Sequence, residues 1–207
     1  MPPVVTENYI SRCLKESYQP GMIGIKDRFA EMFDDRKLKC AAVLIPLAWW
    51  KEEWHLVFTH RTETVEHHKG QVSFPGGGCD MGETTPEQTA LREAEEEIGL
   101  RQSDVRLLGR LNEVPTITQY QVTPVAGVMP WPYDFRPEKA EVARIFTIPL
   151  NWLADPDHWS EVPISTNGRP SPFQVITYHQ YEGETLWGVS AKITHNFLSV
   201  LGLLKPY

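Results

Sequence analysis

The chain has 207 residues, of which 41% are hydrophobic, a composition typical of one folded domain with a terminal extension rather than of a disordered protein. Its formal net charge of −7 disfavours broad binding to nucleic acid or to anionic membrane surfaces, although a local basic pocket could still hold an anion. We therefore expect neither nucleic acid nor a membrane as a partner.

Residues 1–38 carry no motif that indicates a function. The patterns at Glu7–Glu16 and Lys26–Phe33 predict two short helices. We therefore predict that residues 1–38 form a helical extension to a domain at residues 39–207. The extension could pack on that domain or form a homodimer contact, and the sequence leaves both possibilities open.

The amino terminus has neither a signal-peptide pattern nor the arginine-rich character of a transit peptide. The longest apolar run, Cys40 to Trp50, contains Pro46 and is too short to span a membrane. Cys13, Cys40 and Cys79 are scattered and include no C-x-x-C pair, so we interpret them as free thiols in a reducing compartment. A cytoplasmic protein is the expectation.

The remaining elements predict a mixed α/β domain. Hydrophobic patterning indicates strands at Ala41–Leu47, Leu56–Thr59, Gln71–Phe74, Val105–Leu111, Gln121–Met129 and Val142–Thr147. A helix is predicted before Gly99, and Ile193–Leu203 is a plausible closing helix. The segment from Asn167 to Pro172 is predicted to be an irregular connection.

A glycine turn leads into the helix that ends at Gly99. The run Gly76–Gly78 allows a tight turn and close approach of the backbone to another group. Thr84 or Thr85 can cap the helix that follows, and Pro86 suits its first turn. The turn and the helix together form the most informative stretch of the chain.

The predicted helix carries a dense carboxylate cluster. At about 100° per residue, Glu93 and Glu97 lie roughly 40° apart on one face, with Glu96 about 60° to the other side. A neighbouring face is small and apolar enough to pack against a core, because it carries Ala90, Leu91, Ala94 and Ile98. The acidic face is then held against the body of the protein.

Such a cluster needs a compensating partner, since like charges four residues apart destabilise a helix by roughly 0.2–0.5 kcal/mol per pair. Divalent cations would supply that charge, and hard oxygen ligands suit Mg²⁺ or Mn²⁺. The alternative is an ordinary glutamate-rich surface helix. The glycine turn beside the cluster favours metal-assisted chemistry on phosphates.

The spacing of these residues resembles a known motif. Glu83 follows Gly77 by six residues and precedes Arg92 by nine, so the segment reads G-x5-E-x8-R-E-A-x-E-E-x-G-L. It resembles the Nudix box, G-x5-E-x7-R-E-U-x-E-E-x-G-U, in which U is aliphatic. One extra residue before Arg92 departs from the box and puts the role of Glu83 in question. The core REAEEEIGL is intact.

The segment before the box resembles that of coenzyme A diphosphatases, roughly L-T-x-R-S followed by H-x-G-x-V-x-F-P-G-G. That subfamily is similar in tolerating the eight-residue spacing. Later segments resemble it as well, so the resemblance covers roughly residues 40–200. The matching positions are Thr59, Arg61, His68, Gly70, Val72, Phe74 and Pro75, then Tyr120–Val125, Glu141–Val142, Phe146–Leu150 and Trp187–Gly188.

The resemblance implies the Nudix fold, a mixed β-sheet between α-helices, and metal-dependent hydrolysis. It implies that Glu93 and Glu97 bind Mg²⁺ or Mn²⁺, with Glu96 as a third or water-mediated ligand. Arg92 is expected to orient Glu93 through an ion pair. The candidates for a general base are Glu93, Glu96 and Glu141.

The implied substrate is a small-molecule nucleotide. Coenzyme A is favoured, cut at its diphosphate to give 3′,5′-ADP and 4′-phosphopantetheine. The alternatives within the family are ADP-ribose, NADH and nucleoside triphosphates. A catalytically silent domain that binds a nucleotide or a protein is a different class of function, and it would be expected to lack box glutamates that are all present here.

An acidic enzyme needs local positive charge to hold an anionic substrate. Arg61 is the residue that we expect to contact phosphate, because its planar guanidinium can make paired contacts. Gly76 and Gly77 are expected to bring the backbone close to the substrate. A solvated loop is the alternative for the basic run as a whole, which comprises His60, Arg61, His67, His68 and Lys69.

Overall fold

The computed structural model of the chain describes residues 4–20, 38–62, 70–166 and 169–204. The helices in these ranges are α1 (Glu7–Ser17), α2 (Pro86–Ile98), α3 (Leu150–Ala154) and α4 (Gly188–Val200). The strands are β1 (Lys39–Trp50), β2 (Glu53–Arg61), β3 (Val72–Ser73), β4 (Gly76–Gly78), β5 (Arg106–Arg110), β6 (Val114–Pro115), β7 (Tyr120–Val128), β8 (Val142–Pro149), β9 (Trp159–Thr166) and β10 (Arg169–Tyr178).

Eight strands form one sheet whose main path runs β3-β2-β1-β7-β5. β1 and β7 are parallel, in a register that begins at the pair Lys39 and Tyr120. The other pairs described in this sheet are antiparallel; they include β4 with the start of β1 and β8 with β2. One parallel pair among antiparallel neighbours makes the sheet mixed, as predicted.

Helices cover both faces of this sheet. Alternate residues of β1 point to opposite sides, so Ala42 and Leu44 pack with α2 whereas Ile45 and Leu47 belong to a second core with α1, α3 and α4. Near-continuous burial along β1 follows from this arrangement. The predicted fold, a mixed sheet between helices, is confirmed.

The first described helix is attached to the domain rather than projecting from it. Ile10 and Leu14 of α1 are fully buried in the larger core. Leu14 lies against Gly109 of β5, where an added Cβ would come within 3.1 Å of the leucine Cβ. The helix predicted at Glu7–Glu16 is therefore confirmed, whereas the one predicted at Lys26–Phe33 lies outside the described residues.

One expectation about the second half of the chain was wrong, and the bounds of another were shifted. Residues 169–172, predicted to be irregular, begin β10, which pairs antiparallel with β9. The prolines in this hairpin obscured the pattern, and the register shift between Pro170 and Gln174 shows how the strand accommodates them. The predicted closing helix is present, but it begins at Gly188 rather than Ile193 and ends at Val200 rather than Leu203.

The expectation of three free thiols was also wrong. Cys40 in β1 and Cys79 just after β4 form a disulfide, and only Cys13 is a free cysteine among the described residues. The antiparallel pairing of β4 with β1 brings the two together, since Ala41 lies opposite Gly78. The argument from free thiols for a reducing compartment therefore fails.

The helices of the described ranges include none that is long and apolar enough to cross a membrane.

Candidate functional site

Local sequence signals set both ends of α2. The Thr85 hydroxyl accepts a hydrogen bond from the Gln88 N–H at 3.4 Å, and the Gln88 side chain accepts one from the Thr85 N–H at 3.2 Å, which makes a capping box. Pro86 fits the first turn, where its missing N–H has no cost. Gly99 ends the helix with a φ of 69°, a conformation that favours glycine. The cap is therefore Thr85 and not Thr84.

The apolar stripe of α2 determines where its glutamates lie. Ala90, Ala94 and Ile98 are fully buried against the sheet, and the two small alanines let the helix approach closely. Glu97 is carried inward and is only 5% exposed, whereas the Glu96 side chain is 60% exposed at the solvent edge. The predicted cluster thus has a buried and an exposed side.

The segment after β7 packs against the carboxyl end of α2. The Arg136 N–H donates to the Ile98 carbonyl at 2.9 Å, and the Glu138 N–H donates to the Glu97 carbonyl at 2.8 Å. These bonds satisfy two of the carbonyls that a helix end leaves without partners. They also bring Glu138 and Glu141 to the acidic face of the helix, 40 residues or more along the chain from it.

The segment Gly76–Gly78, which we call the glycine turn, is the short strand β4 paired with β1 rather than the predicted tight turn, and it contacts the same face of α2. The Gly76 N–H donates to Glu97 Oε2 at 3.2 Å. A Cβ added at Gly77 would come within 2.5 Å of Glu93 Oε1, and one added at Gly76 would overlap the backbone of β1. Glycine is required at both positions because the turn is held between β1 and the carboxylates.

Arg92 gathers the carboxylates at the outer side of the helix into what we call the Arg92 centre, comprising Arg92, Glu83, Glu93, Glu96 and the Gly78 carbonyl. Its guanidinium donates to Glu83 Oε1 at 2.8 Å and, through one nitrogen, to Glu93 Oε1 and Glu96 Oε2 at 2.9 Å each. It also donates to the Gly78 carbonyl at 2.9 Å. The ion pair expected between Arg92 and Glu93 is present.

Glu83 keeps its contact with Arg92 despite the extra residue in the box. Besides Arg92, it accepts hydrogen bonds from the Asp80 N–H at 2.8 Å and the Thr89 hydroxyl at 2.7 Å. The hydrogen bond from Arg92 is the largest cause that lowers the pKa of Glu83 to about 2. The longer loop is therefore accommodated without loss of this carboxylate, which answers the question raised by the spacing.

Arg61, at the end of β2, links the inner carboxylates in what we call the Arg61 centre, comprising Arg61, Glu97 and Glu141. One guanidinium nitrogen donates to Glu97 Oε1 at 3.2 Å and the other to Glu141 Oε2 at 3.3 Å. The residue predicted to bind phosphate thus holds two glutamates in this structure.

Glu97 is the most perturbed acid of the cluster. Burial raises its pKa to about 7, and the nearby charges of Glu93 and Glu141 add to the effect. Arg61 and the Gly76 N–H act in the opposite direction and only partly compensate. Burial likewise raises the pKa of Glu93, against the opposing effect of Arg92. Negative charge is therefore costly at the centre of this face.

A cavity of about 300 Å³ opens beside these acids and is lined by Glu93, Glu96, Glu97, Glu138 and Glu141. Carboxylate oxygens are the donors that hard divalent cations prefer, and a buried carboxylate that is only partly compensated would gain from such a cation. As placed, no three carboxylate, imidazole or thiol groups in the described ranges lie close enough together to hold a metal ion. The glutamates are instead turned toward Arg61 and Arg92. The donor set fits a divalent cation, and binding would require some of these ion pairs to rearrange.

Two results go beyond the sequence prediction. Glu138 lines the cavity, and the only sequence signal for it was its nearness to Glu141. The His60 imidazole pairs with the Glu184 carboxylate at 2.6 Å, and Glu184 also accepts from Arg144, so this member of the basic run has a partner of its own. The basic residues His67, His68 and Lys69 lie outside the described residues.

Comparison with known families finds a match to the NUDIX domain over residues 39–165, which is more than half of the chain. That range contains every glutamate and arginine of the two centres.

Bacterial relatives match over most of their length. The protein named uncharacterized Nudix hydrolase NudL from Escherichia coli O6:H1 is 36% identical over 166 residues, 80% of this chain and 84% of its own length. The protein of the same name from Photorhabdus laumondii is 35% identical over 155 residues, 75% of this chain and 81% of its own.

Among solved structures, a MutT/nudix family protein from Enterococcus faecalis superimposes with a TM-score of 0.50 at 13% identity, over 97% of this chain and 81% of its own. This likeness concerns the fold.

Proposed function

Because the chain belongs to the Nudix hydrolase family, we propose that it hydrolyses coenzyme A at the diphosphate, releasing 3′,5′-ADP and 4′-phosphopantetheine. One observation carries the proposal. A buried glutamate with a raised pKa, Glu97, lies between the glycine turn and a cavity lined by glutamates. Strongly perturbed acids in a cavity are characteristic of functional sites.

We propose Glu93 and Glu97 as the principal ligands of Mg²⁺ or Mn²⁺, with Glu96 as a third. The cavity beside them and the donor set support this assignment. Nudix hydrolases generally use divalent metals, and the bound ion would neutralise charge on the diphosphate and lower the pKa of a coordinated water. Glu96 is exposed and has Arg92 as its partner, so it can turn toward the cavity at little cost.

Hydrolysis requires a group that takes a proton from the attacking water. Water attacks one phosphorus of the diphosphate, the bridging P–O bond breaks, and the leaving phosphate keeps the bond electrons. Glu93, Glu96 and Glu141 are our candidates for the base. Arg92 is proposed to position Glu93, with which it makes a 2.9 Å hydrogen bond.

Arg61, Gly76 and Gly77 are proposed to contact the substrate. A double role for Arg61 is part of the proposal, because its guanidinium pairs with Glu97 and Glu141, two glutamates that line the cavity. When carboxylates turn toward a cation, the guanidinium becomes available to phosphate oxygens. Gly76 and Gly77 have no side chains that would keep the substrate from the backbone.

The choice of coenzyme A depends on the residues around the box. The segment Thr59 to Pro75 and the longer spacing before Arg92 are what support it. We further propose a helical extension at residues 1–38, a domain at 39–207, a homodimer contact and a cytoplasmic location.

The test compares Glu97→Gln with Glu95→Gln, the same substitution on the same helix. Glu95 bonds the Gln102 side chain and does not line the glutamate cavity. Turnover of coenzyme A, ADP-ribose, NADH and nucleoside triphosphates is measured by product chromatography with Mg²⁺ and Mn²⁺. We expect Glu97→Gln to lower kcat by about a thousandfold with its circular dichroism spectrum unchanged, and Glu95→Gln to be near wild type.

Normal metal dependence in Glu97→Gln would remove Glu97 from the metal site. A wild-type enzyme that prefers ADP-ribose, NADH or a nucleoside triphosphate would overturn coenzyme A as the substrate. Absence of hydrolysis of every nucleotide would overturn the catalytic proposal itself.

A further inference from the structure

Lys39 is a cation beside the glycine turn whose charge is not matched by a carboxylate of the described residues. Arg61 and Arg92 each pair with two or more glutamates. Within the described ranges, by contrast, no carboxylate lies within ion-pair distance of Lys39. Its ammonium lies over the ring of Tyr120, 5.7 Å from the centroid. An aromatic face attracts a cation but does not neutralise it.

The backbone holds this pair in place. The Lys39 N–H donates to the Gln119 carbonyl at 2.8 Å, and the Tyr120 N–H donates to the Thr116 hydroxyl at 3.0 Å. The Thr116 N–H in turn donates to the Tyr120 carbonyl at 2.9 Å. Lys39 and Tyr120 are partners in the parallel register of β1 and β7, so the backbone of both residues is fixed by the sheet.

The pair lies next to the glycine turn, on the side away from the carboxylates. A Cβ added at Gly77 would meet Glu93, whereas one added at Gly78 would lie 4.0 Å from the Tyr120 ring. Successive residues of a strand point to opposite faces, so the turn separates Glu93 from Tyr120 by the thickness of one strand. The disulfide from Cys40 to Cys79 holds the chain beyond the turn against the residue that follows Lys39.

We propose that Lys39 binds a phosphate monoester of the substrate other than the scissile diphosphate, and that Tyr120 positions the Lys39 ammonium for it. The inference rests on the proposed function, because coenzyme A carries such a group at the 3′ position of its ribose. A lysine without a carboxylate partner suits this role, since it can contact a phosphate as a point charge without breaking an existing ion pair. The subsite would select coenzyme A over dephospho-coenzyme A, which lacks only the 3′-phosphate.

The experiment compares Lys39→Ala with Lys51→Ala. Lys51 is a matched control because it also lies over an aromatic ring, that of Trp50 at 4.1 Å, but beyond the far end of β1. We expect Lys39→Ala to raise KM for coenzyme A about tenfold while kcat and the constants for dephospho-coenzyme A stay unchanged. Lys51→Ala should leave both substrates unaffected. Tyr120→Leu should raise KM for coenzyme A by a smaller factor than Lys39→Ala does. Tyr120→Phe should retain the wild-type selectivity for coenzyme A over dephospho-coenzyme A.

Calorimetric binding of 3′,5′-ADP and 5′-AMP to the same variants separates this inference from the proposed function. A Lys39-dependent preference for 3′,5′-ADP supports the subsite even if the wild type cleaves neither coenzyme, a result that would overturn only the proposed reaction. Two results would overturn the subsite while leaving the proposed reaction intact. One is equal affinity of the wild type for 3′,5′-ADP and 5′-AMP, and the other is an equal rise in KM for coenzyme A and dephospho-coenzyme A in Lys39→Ala.

Discussion

In both arginine centres beside α2 a guanidinium pairs with glutamates, but the two centres are assembled differently. Every side chain of the Arg92 centre lies between residues 83 and 96, within the turn-and-helix segment itself. The Arg61 centre joins side chains from residues 61, 97 and 141, on β2, α2 and the segment before β8. The first is a local motif, and the second exists only because distant elements meet.

The difference in assembly is matched by a difference in environment. Glu96 in the Arg92 centre is largely exposed, and Glu83 has a lowered pKa because Arg92 and its other donors favour its charge. Glu97 in the Arg61 centre is buried and has a raised pKa, because one arginine and one N–H do not offset burial. We infer that the Arg92 centre fixes the conformation of the loop before α2. In the Arg61 centre the negative charge is only partly compensated, and a bound metal ion would compensate it.

Arg61→Ala should have the largest effect on stability. It leaves Glu97 buried without its main cationic partner, a change that we expect to cost about 3–5 kcal/mol in the free energy of unfolding. Urea denaturation in the presence of a chelator measures this. The control is Arg106→Ala, which removes an exposed pair with Glu7 and should cost less than about 1 kcal/mol. Similar decreases in the free energy of unfolding in the two variants would show that the Arg61 pair contributes no more than an exposed ion pair.

Reduction of the disulfide from Cys40 to Cys79 should have the next largest effect. The bond closes a loop across a sequence separation of 39, and its loss should cost about 2–4 kcal/mol. Thermal unfolding with and without reductant, in a Cys13→Ala background, isolates this bond. We expect the Arg92 centre to loosen with it, since Arg92 bonds the carbonyl of Gly78, next to Cys79. Labelling of both cysteines in the native, unreduced protein would show that the bond is not formed.

Thr85→Ala tests whether the purely local signal matters. The capping hydroxyl should be worth about 1 kcal/mol, so the free energy of unfolding should fall by that amount. Thr84→Ala is the matched control, because the Thr84 side chain bonds only the Gln88 side chain. If Thr84→Ala lowers the free energy of unfolding by as much or more, the assignment of the cap to Thr85 is wrong.

Glu83 should have a modest effect, seen in how the free energy of unfolding changes as the pH falls. Its pKa is lowered in the folded protein, so its stabilising contribution is complete above the ordinary value of about 4.5 and is lost as the pH falls toward about 2. Glu83→Gln should therefore flatten the decline of unfolding free energy between pH 4.5 and pH 2. If the two proteins decline in parallel, Glu83 does not have the lowered pKa that Arg92 predicts.

Periodicity and capping chemistry predicted the parts of the site that are local. The spacing of Ala90, Ala94 and Ile98 indicated the buried face of α2, and Pro86 and Gly99 indicated its limits. The structure agrees because these features depend on helix geometry and on contacts within one turn. The hydrophobic runs in β1, β2 and β7 were equally informative, although the strand bounds shifted by one to three residues.

Other parts could not be predicted because they depend on register. Nothing in the spacing of Cys40 and Cys79 distinguishes a disulfide from two thiols until β4 is paired with β1. The partner of Arg61 is equally undetermined until the fold brings the end of β2 to Glu97. The hairpin of β9 and β10 was missed because prolines disguise strands that tolerate them only at bulges and edges.

The sequence by itself determined that a glycine-rich run precedes a capped helix with three glutamates and an arginine on adjoining faces, because a helix places residues three and four apart side by side. Only the tertiary structure decided which of those glutamates is buried, which arginine reaches it, and that Glu138 and Glu141 complete the cavity. Burial and charge compensation are properties of packed neighbours, and those neighbours come from strands and loops far away in the chain.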